Sequence, residues 1–182
     1  MTVTDELLAN AERYAASFDK GALPLPPAKH VAVVACMDAR LNPYGLLGLT
    51  EGDAHVIRNA GGVITADELR SLAISQRLLG TTEIILIHHT DCGMLTFTDD
   101  DFKNAVEREV GIRPPWAAEA FTNLDDDVRQ SIRRIQADPS SPQKIQSEAS
   151  CTTWNPANSA RSTDHSPRAL LPPACRVVHI AA

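Results

Sequence analysis

Two short stretches hold residue types suited to metal chemistry: Cys36-Met37-Asp38-Ala39-Arg40 and His89-Thr90-Asp91-Cys92. Zinc takes thiolate and imidazole ligands in a tetrahedron, and a catalytic site leaves one position for water. Cys36, His89 and Cys92 supply three such ligands, and the His-x-x-Cys spacing lets one turn present two of them to a single ion. A carboxylate beside the ion, as Asp38 would be, has two open roles. It can bind zinc directly as a fourth ligand, or pair bidentately with Arg40 and accept a hydrogen bond from a zinc-bound hydroxide. The pairing is expected in the active form. Two thiolates offset the charge of the dication, so activity favoured at mildly alkaline pH is also expected.

These residues need elements that bring them together. Each stretch closes a continuous apolar run, His30-Val31-Ala32-Val33-Val34-Ala35 and Glu83-Ile84-Ile85-Leu86-Ile87-His88, which reads as a parallel strand covered on both faces. Ala54-His55-Val56-Ile57-Arg58 reads as a further strand between them, followed by the tight turn Asn59-Ala60-Gly61-Gly62 and a helix over 66–79 that Gly80 ends. That rhythm predicts an α/β fold: a mostly parallel central sheet in the order second–first–third, with one candidate edge strand, flanked by helices. The strand order then reverses between the first and third strands, where open α/β sheets bind ligands. Both stretches lie at that point.

Further helices are expected over 5–18, capped by Thr4 and lying as an extension before the sheet; over 43–48; over 100–110, capped by Asp99; and up to 136, opened by Asn123 or Asp125. The composition predicts one domain over 1–138 and, over 139–182, an aberrant, disordered tail rich in Ser, Thr, Pro and Asn. Within that tail only Arg176-Val177-Val178-His179-Ile180 has the pattern of a strand.

The other candidate residues read as ordinary. His88 is structural, His55 a strand residue and Asp91 a solvated or turn-stabilising group, while Cys151 and Cys175 fall in the tail. The Asn59–Gly62 turn could offer N–H groups to an anion or serve close packing. A net charge of −6 excludes the clustered basic face of a nucleic-acid binder. No apolar run reaches the ~20 residues of a membrane helix. The acidic start Met1-Thr2-Val3-Thr4-Asp5-Glu6 lacks the basic region of a signal peptide, so a cytoplasmic, reducing location is expected, where cysteines serve metals or catalysis.

At Cys36-x-Asp38-x-Arg40, His89-x-x-Cys92-Gly93 and Val56-Ile57-Arg58-Asn59-Ala60-Gly61 the sequence resembles the β-class carbonic anhydrases. The resemblance implies reversible hydration of carbon dioxide to bicarbonate and a proton. Zinc would sit on Cys36, His89 and Cys92, with Asp38 as an exchangeable fourth ligand or paired with Arg40. It also implies a homodimer or homotetramer with the first helix across a partner. Two departures stand out. Some members carry a regulatory bicarbonate pocket that uses a Trp three residues before the first ligand Cys, a position held here by Val33. Nothing after Pro139 matches the family's edge strand, which would leave the third strand with unpaired backbone. Relatives of the fold hydrolyse carbon disulfide or carbonyl sulfide at the same site, and a zinc-binding protein without turnover is the alternative outside catalysis.

Overall fold

A strand with no charged residue along its length has to be covered on both faces, and β1 (Val31–Cys36) is: all six residues are buried, Ala32 to Ala35 completely. The computed structural model describes residues 2–142, 152–154 and 175–180, the last two segments by chain path and pairing alone. β2 (Ala54–Asn59) and β3 (Glu83–His89) flank β1, both parallel to it, with Val33 opposite Val56 on one side and Ile85 on the other. The expected order therefore holds, and the strand order reverses between β1 and β3.

The pleat sends alternate side chains of β1 and β3 into two separate cores. Ala32, Val34, Ile84 and Leu86 pack with Leu72 of α3 (Ala66–Leu79) and with Val128, Ile132 and Ile135 of α5 (Leu124–Ala137). Each large aliphatic side chain buried this way contributes roughly 1.5–3 kcal/mol. Val33, Ala35 and Ile87 face the other way, onto Leu41, Val63, Met94 and Phe121, and Cys36 at the end of β1 joins them with Cys92. Both motif cysteines belong to this second core.

Helix boundaries follow their caps. α3 begins with a reciprocal box, Thr65 with Glu68, and ends at Gly80 in the left-handed region, as expected. α1 (Val3–Ser17) starts earlier than expected because Thr2, not Thr4, is the cap. The Asp5 amide donates to Thr2 Oγ1 at 3.2 Å and the Thr2 amide donates back to the Asp5 carboxylate at 2.7 Å. Thr4 has Leu7 three residues on, which cannot reciprocate. Likewise Thr98, not Asp99, caps α4 (Asp99–Val110). Asp99 instead accepts from the amides of Ala118, Glu119 and Ala120 at 2.8, 3.3 and 2.8 Å, fastening the segment after α4. α2 (Pro43–Leu47) occupies the short connection after β1. α5 is opened by Asn123, one of the two expected residues.

A correction concerns the sheet edge. β4 (Thr152–Trp154) and β5 (Cys175–Ile180) extend the sheet to the order β2-β1-β3-β5-β4, all parallel. β3 is therefore not left with an open edge: Ile84 to His89 pair with Cys175 to Ile180. The candidate strand at 176–180 thus forms part of β5 and residues 152–154 form β4, while the remainder of the expected tail beyond residue 142, Cys151 included, lies outside the described residues. None of the helices among the described residues is long and apolar enough to cross a membrane.

Candidate metal centre

β1 ends at Cys36 and β3 at His89, and the turn after β3 returns Cys92 to the same spot. One ligand-type atom from each of the three residues lies within 4.8 Å of the others, and all three residues are buried. The two sulfurs are 3.9 Å apart. An ion holding two sulfurs at ~2.3 Å in a tetrahedron sets them about 3.8 Å apart, so the pair already has the required edge length. The Thr90 carbonyl lies 2.8 Å from His89 Nδ1; because a carbonyl only accepts, Nδ1 carries the proton and Nε2 keeps its lone pair. That Nε2 is buried with no hydrogen-bond partner. A buried bare nitrogen beside two thiols is what an ion would satisfy, and the donor set fits one. The hydrogen bond between the two sulfurs holds the Cys36 thiol below its ordinary range, while the same bond and burial push Cys92 up.

Asp38 stands at the rim, its Oδ2 3.7 Å from His89 Nε2. Arg40 holds it side-on, donating from Nε to Oδ1 at 3.0 Å and from Nη2 to Oδ2 at 2.8 Å, while the Arg40 amide donates to Oδ1 at 2.8 Å. These bonds keep the Asp38 carboxyl well below the usual carboxylate range, so it is ionised throughout the neutral region. Asp91 is the solvated turn residue expected, with a partner that was not. It is exposed and in a left-handed turn (φ 56°), but its carboxylate accepts from Arg40 Nη1 at 2.9 Å and its carbonyl from Nη2 at 3.2 Å.

Two further residues shape the centre. Arg58 on β2 donates to the Cys36 carbonyl from Nε at 3.1 Å and from Nη2 at 2.7 Å, and to the Asp38 carbonyl at 2.7 Å, bracing the backbone that carries the first stretch. Gly62 (φ 74°) lies against the ends of both strands: a Cβ there would come within 2.9 Å of the Cys36 nitrogen and the Ile87 oxygen. The turn at 59–62 therefore serves close packing. A cleft of about 420 Å³ opens over the centre, lined by Met37, Ala60, Gly61, Met94, Thr96 and Phe97 besides Cys36, Asp38 and Cys92. Arg58, quoted above only within the resemblance, and Asp91, read above as a solvated or turn-stabilising group, are the site residues whose contacts the sequence did not show. The left-handed preference of Asp was a signal at position 91.

His88 is fully buried, donating from Nε2 to the Gly62 carbonyl at 3.1 Å with Nδ1 3.4 Å from Asp127 Oδ2. Burial pushes Asp127 up to about 6, Glu119 adding to the shift and Arg134 opposing it. The folded chain thus holds this proton to higher pH than the unfolded chain does. The stabilisation from the neutral acid is complete below the ordinary value of 3.8 and is lost as pH rises through about 6. Thermal melts of wild type and Asp127→Asn across this range check it: wild type should lose melting temperature relative to the variant as pH rises, and parallel profiles would refute the assignment.

Ligand-type side chains gathered where a parallel sheet reverses its strand order define an α/β protein with its candidate site at the usual ligand-binding crevice. A family model described as carbonic anhydrase matches residues 31–154. Over 139 residues, 76% of this chain and 85% of the relative, the sequence is 67% identical to beta-carbonic anhydrase 1 of Mycobacterium tuberculosis. The crystal structure of carbonic anhydrase from Streptococcus mutans superposes with a TM-score of 0.74 at 40% identity, covering 80% of this chain and 88% of that one. A carbon disulfide hydrolase of Saccharolobus solfataricus is 35% identical over 82% of this chain and 63% of its own length. The chain belongs to the β-carbonic anhydrase family, enzymes whose general reaction is hydration of carbon dioxide.

Proposed function

We propose that this chain hydrates carbon dioxide reversibly to bicarbonate and a proton, with zinc held by Cys36, His89 and Cys92. The observation that carries this reading is the convergence of two buried sulfurs and an unpartnered imidazole nitrogen beside an Arg-held carboxylate. When bound, zinc supplies the Lewis acidity that makes water a nucleophile near neutral pH. Asp38 is the acceptor that orients the attacking oxygen, through a lone pair its Arg40 bonds leave open. Because it stays ionised, it acts as an acceptor and not as an acid. Arg40 keeps it off the metal position. Met37, Ala60, Met94 and Phe97 give the cleft an apolar wall that suits an uncharged linear substrate and limits water.

The same reading includes a homodimer or homotetramer. α1 buries none of its residues on its own chain, and Leu7, Leu8 and Tyr14 on it, with Phe18 just beyond its end, are at least half exposed, a face that a second copy would cover. Cys36 and Cys92, read as metal ligands and not joined in a disulfide, suit a reducing, cytoplasmic compartment.

Zinc analysis with stopped-flow hydration tests the proposal. The expected result is one zinc per chain, proton release on mixing with carbon dioxide, loss of both with a chelator and recovery on adding zinc. Stoichiometric zinc without proton release would sink the reading in favour of a binding protein. Similarity to carbon disulfide hydrolases supports a second reading, turnover of carbon disulfide or carbonyl sulfide in the same cleft. Parallel assays on the three gases separate the two.

A further inference from the structure

Arg40 is gripped from two sides. Its Nε and one Nη2 hydrogen go to Asp38; Nη1 and the other Nη2 hydrogen go to the Asp91 carboxylate and carbonyl. A guanidinium has five N–H donors in a rigid fork, so Asp91 takes only donors that Asp38 leaves over. The second grip matters because Arg40 is more than half exposed, with a side-chain exposure of 58%. A long side chain in that setting samples several rotamers unless something fixes it. Asp91 also lies between His89 and Cys92, so Arg40 ties the loop after β1 to the turn after β3 across the centre.

We propose that Asp91 is a positioning residue: by fixing the Arg40 guanidinium it keeps Asp38 off the metal and so sets the fraction of time the centre is open to substrate. This rests on reading Cys36, His89 and Cys92 as the zinc ligands. Asp38 Oδ2 is already 3.7 Å from His89 Nε2, so a carboxylate released by Arg40 needs only a small rotation to reach an ion bound there. Asp91 thereby acts on the reaction through Arg40 and Asp38, without touching substrate.

The left-handed backbone at position 91 guides the test. Glycine and asparagine both tolerate a φ of 56°. Asp91→Gly removes the carboxylate without straining the turn, and Asp91→Asn keeps an acceptor but removes the charge. In Asp91→Gly, kcat for carbon dioxide hydration is expected to fall about two- to fivefold, the range an exposed charge pair controls. Zinc content should be unchanged, and zinc transfer to dipicolinate should slow by a similar factor, because Asp38 more often completes the coordination. Asp91→Asn should lie between wild type and Asp91→Gly. In an Asp38→Asn background Asp91→Gly should alter neither the chelator rate nor kcat. Wild-type kcat and chelator rate in Asp91→Gly would overturn the inference, as would the same change in both backgrounds, which marks a merely structural role. Wild-type protein lacking zinc or turnover would overturn the functional reading and this one together; an active wild type with an indifferent Asp91→Gly overturns this one alone.

Discussion

Cys92→Ser should lose zinc and carbon dioxide hydration together, with turnover down by about a thousandfold or more and a lower melting temperature. Serine's hydroxyl stays protonated where a thiol ionises, so the ion would keep only Cys36 and His89. The structural loss has a separate origin. Cys92 is 3% exposed and packs in the core that holds Cys36, Ile87 and Met94, so a hydroxyl there replaces a sulfur among apolar neighbours. Metal analysis, stopped-flow kinetics and thermal melts on the same preparation check the result. Full zinc with more than a tenth of wild-type turnover would mean that Cys92 is not a ligand.

Asp38→Ala separates the two roles open to this carboxylate. As the acceptor that orients the attacking oxygen, its loss should lower kcat by about a hundredfold while zinc stays bound, the scale of removing one positioned catalytic group. Arg40 would remain anchored to Asp91 and could not substitute, because a guanidinium has no acceptor. If zinc is lost instead, Asp38 is chiefly a ligand. The two outcomes are read from one metal determination beside one kinetic trace.

The parts of the fold legible in the sequence were those governed by short-range pattern. The unbroken, β-branched apolar runs at 31–36 and 84–87 read as strands covered on both faces, and the ligand-type residues at their ends followed the topology to a single point. Thr2 carried a readable signal as well, since Asp5 completes its capping box and Leu7 cannot complete one for Thr4. Long-range partners were not legible. Asp99 finds its amides near residue 119, Arg58 reaches back to Cys36, and Arg40 spans 51 residues to Asp91. None of these pairings leaves a periodic trace. The same holds for β5, whose strand pattern was visible but whose pairing with β3 depends on the path of the chain between them.

Gly62 and Arg58 act on the centre through main-chain atoms: the one leaves room that a Cβ would take from a nitrogen and a carbonyl oxygen, the other grips two carbonyls. Side chains at Met37, Met94 and Phe97 contribute to the cleft wall but not to that fastening. Substitutions in that lining therefore reshape the cleft while the main-chain bonds that Arg58 makes to Cys36 and Asp38 stay in place. The shape of the cavity and the anchoring of its floor are thus separable by mutation.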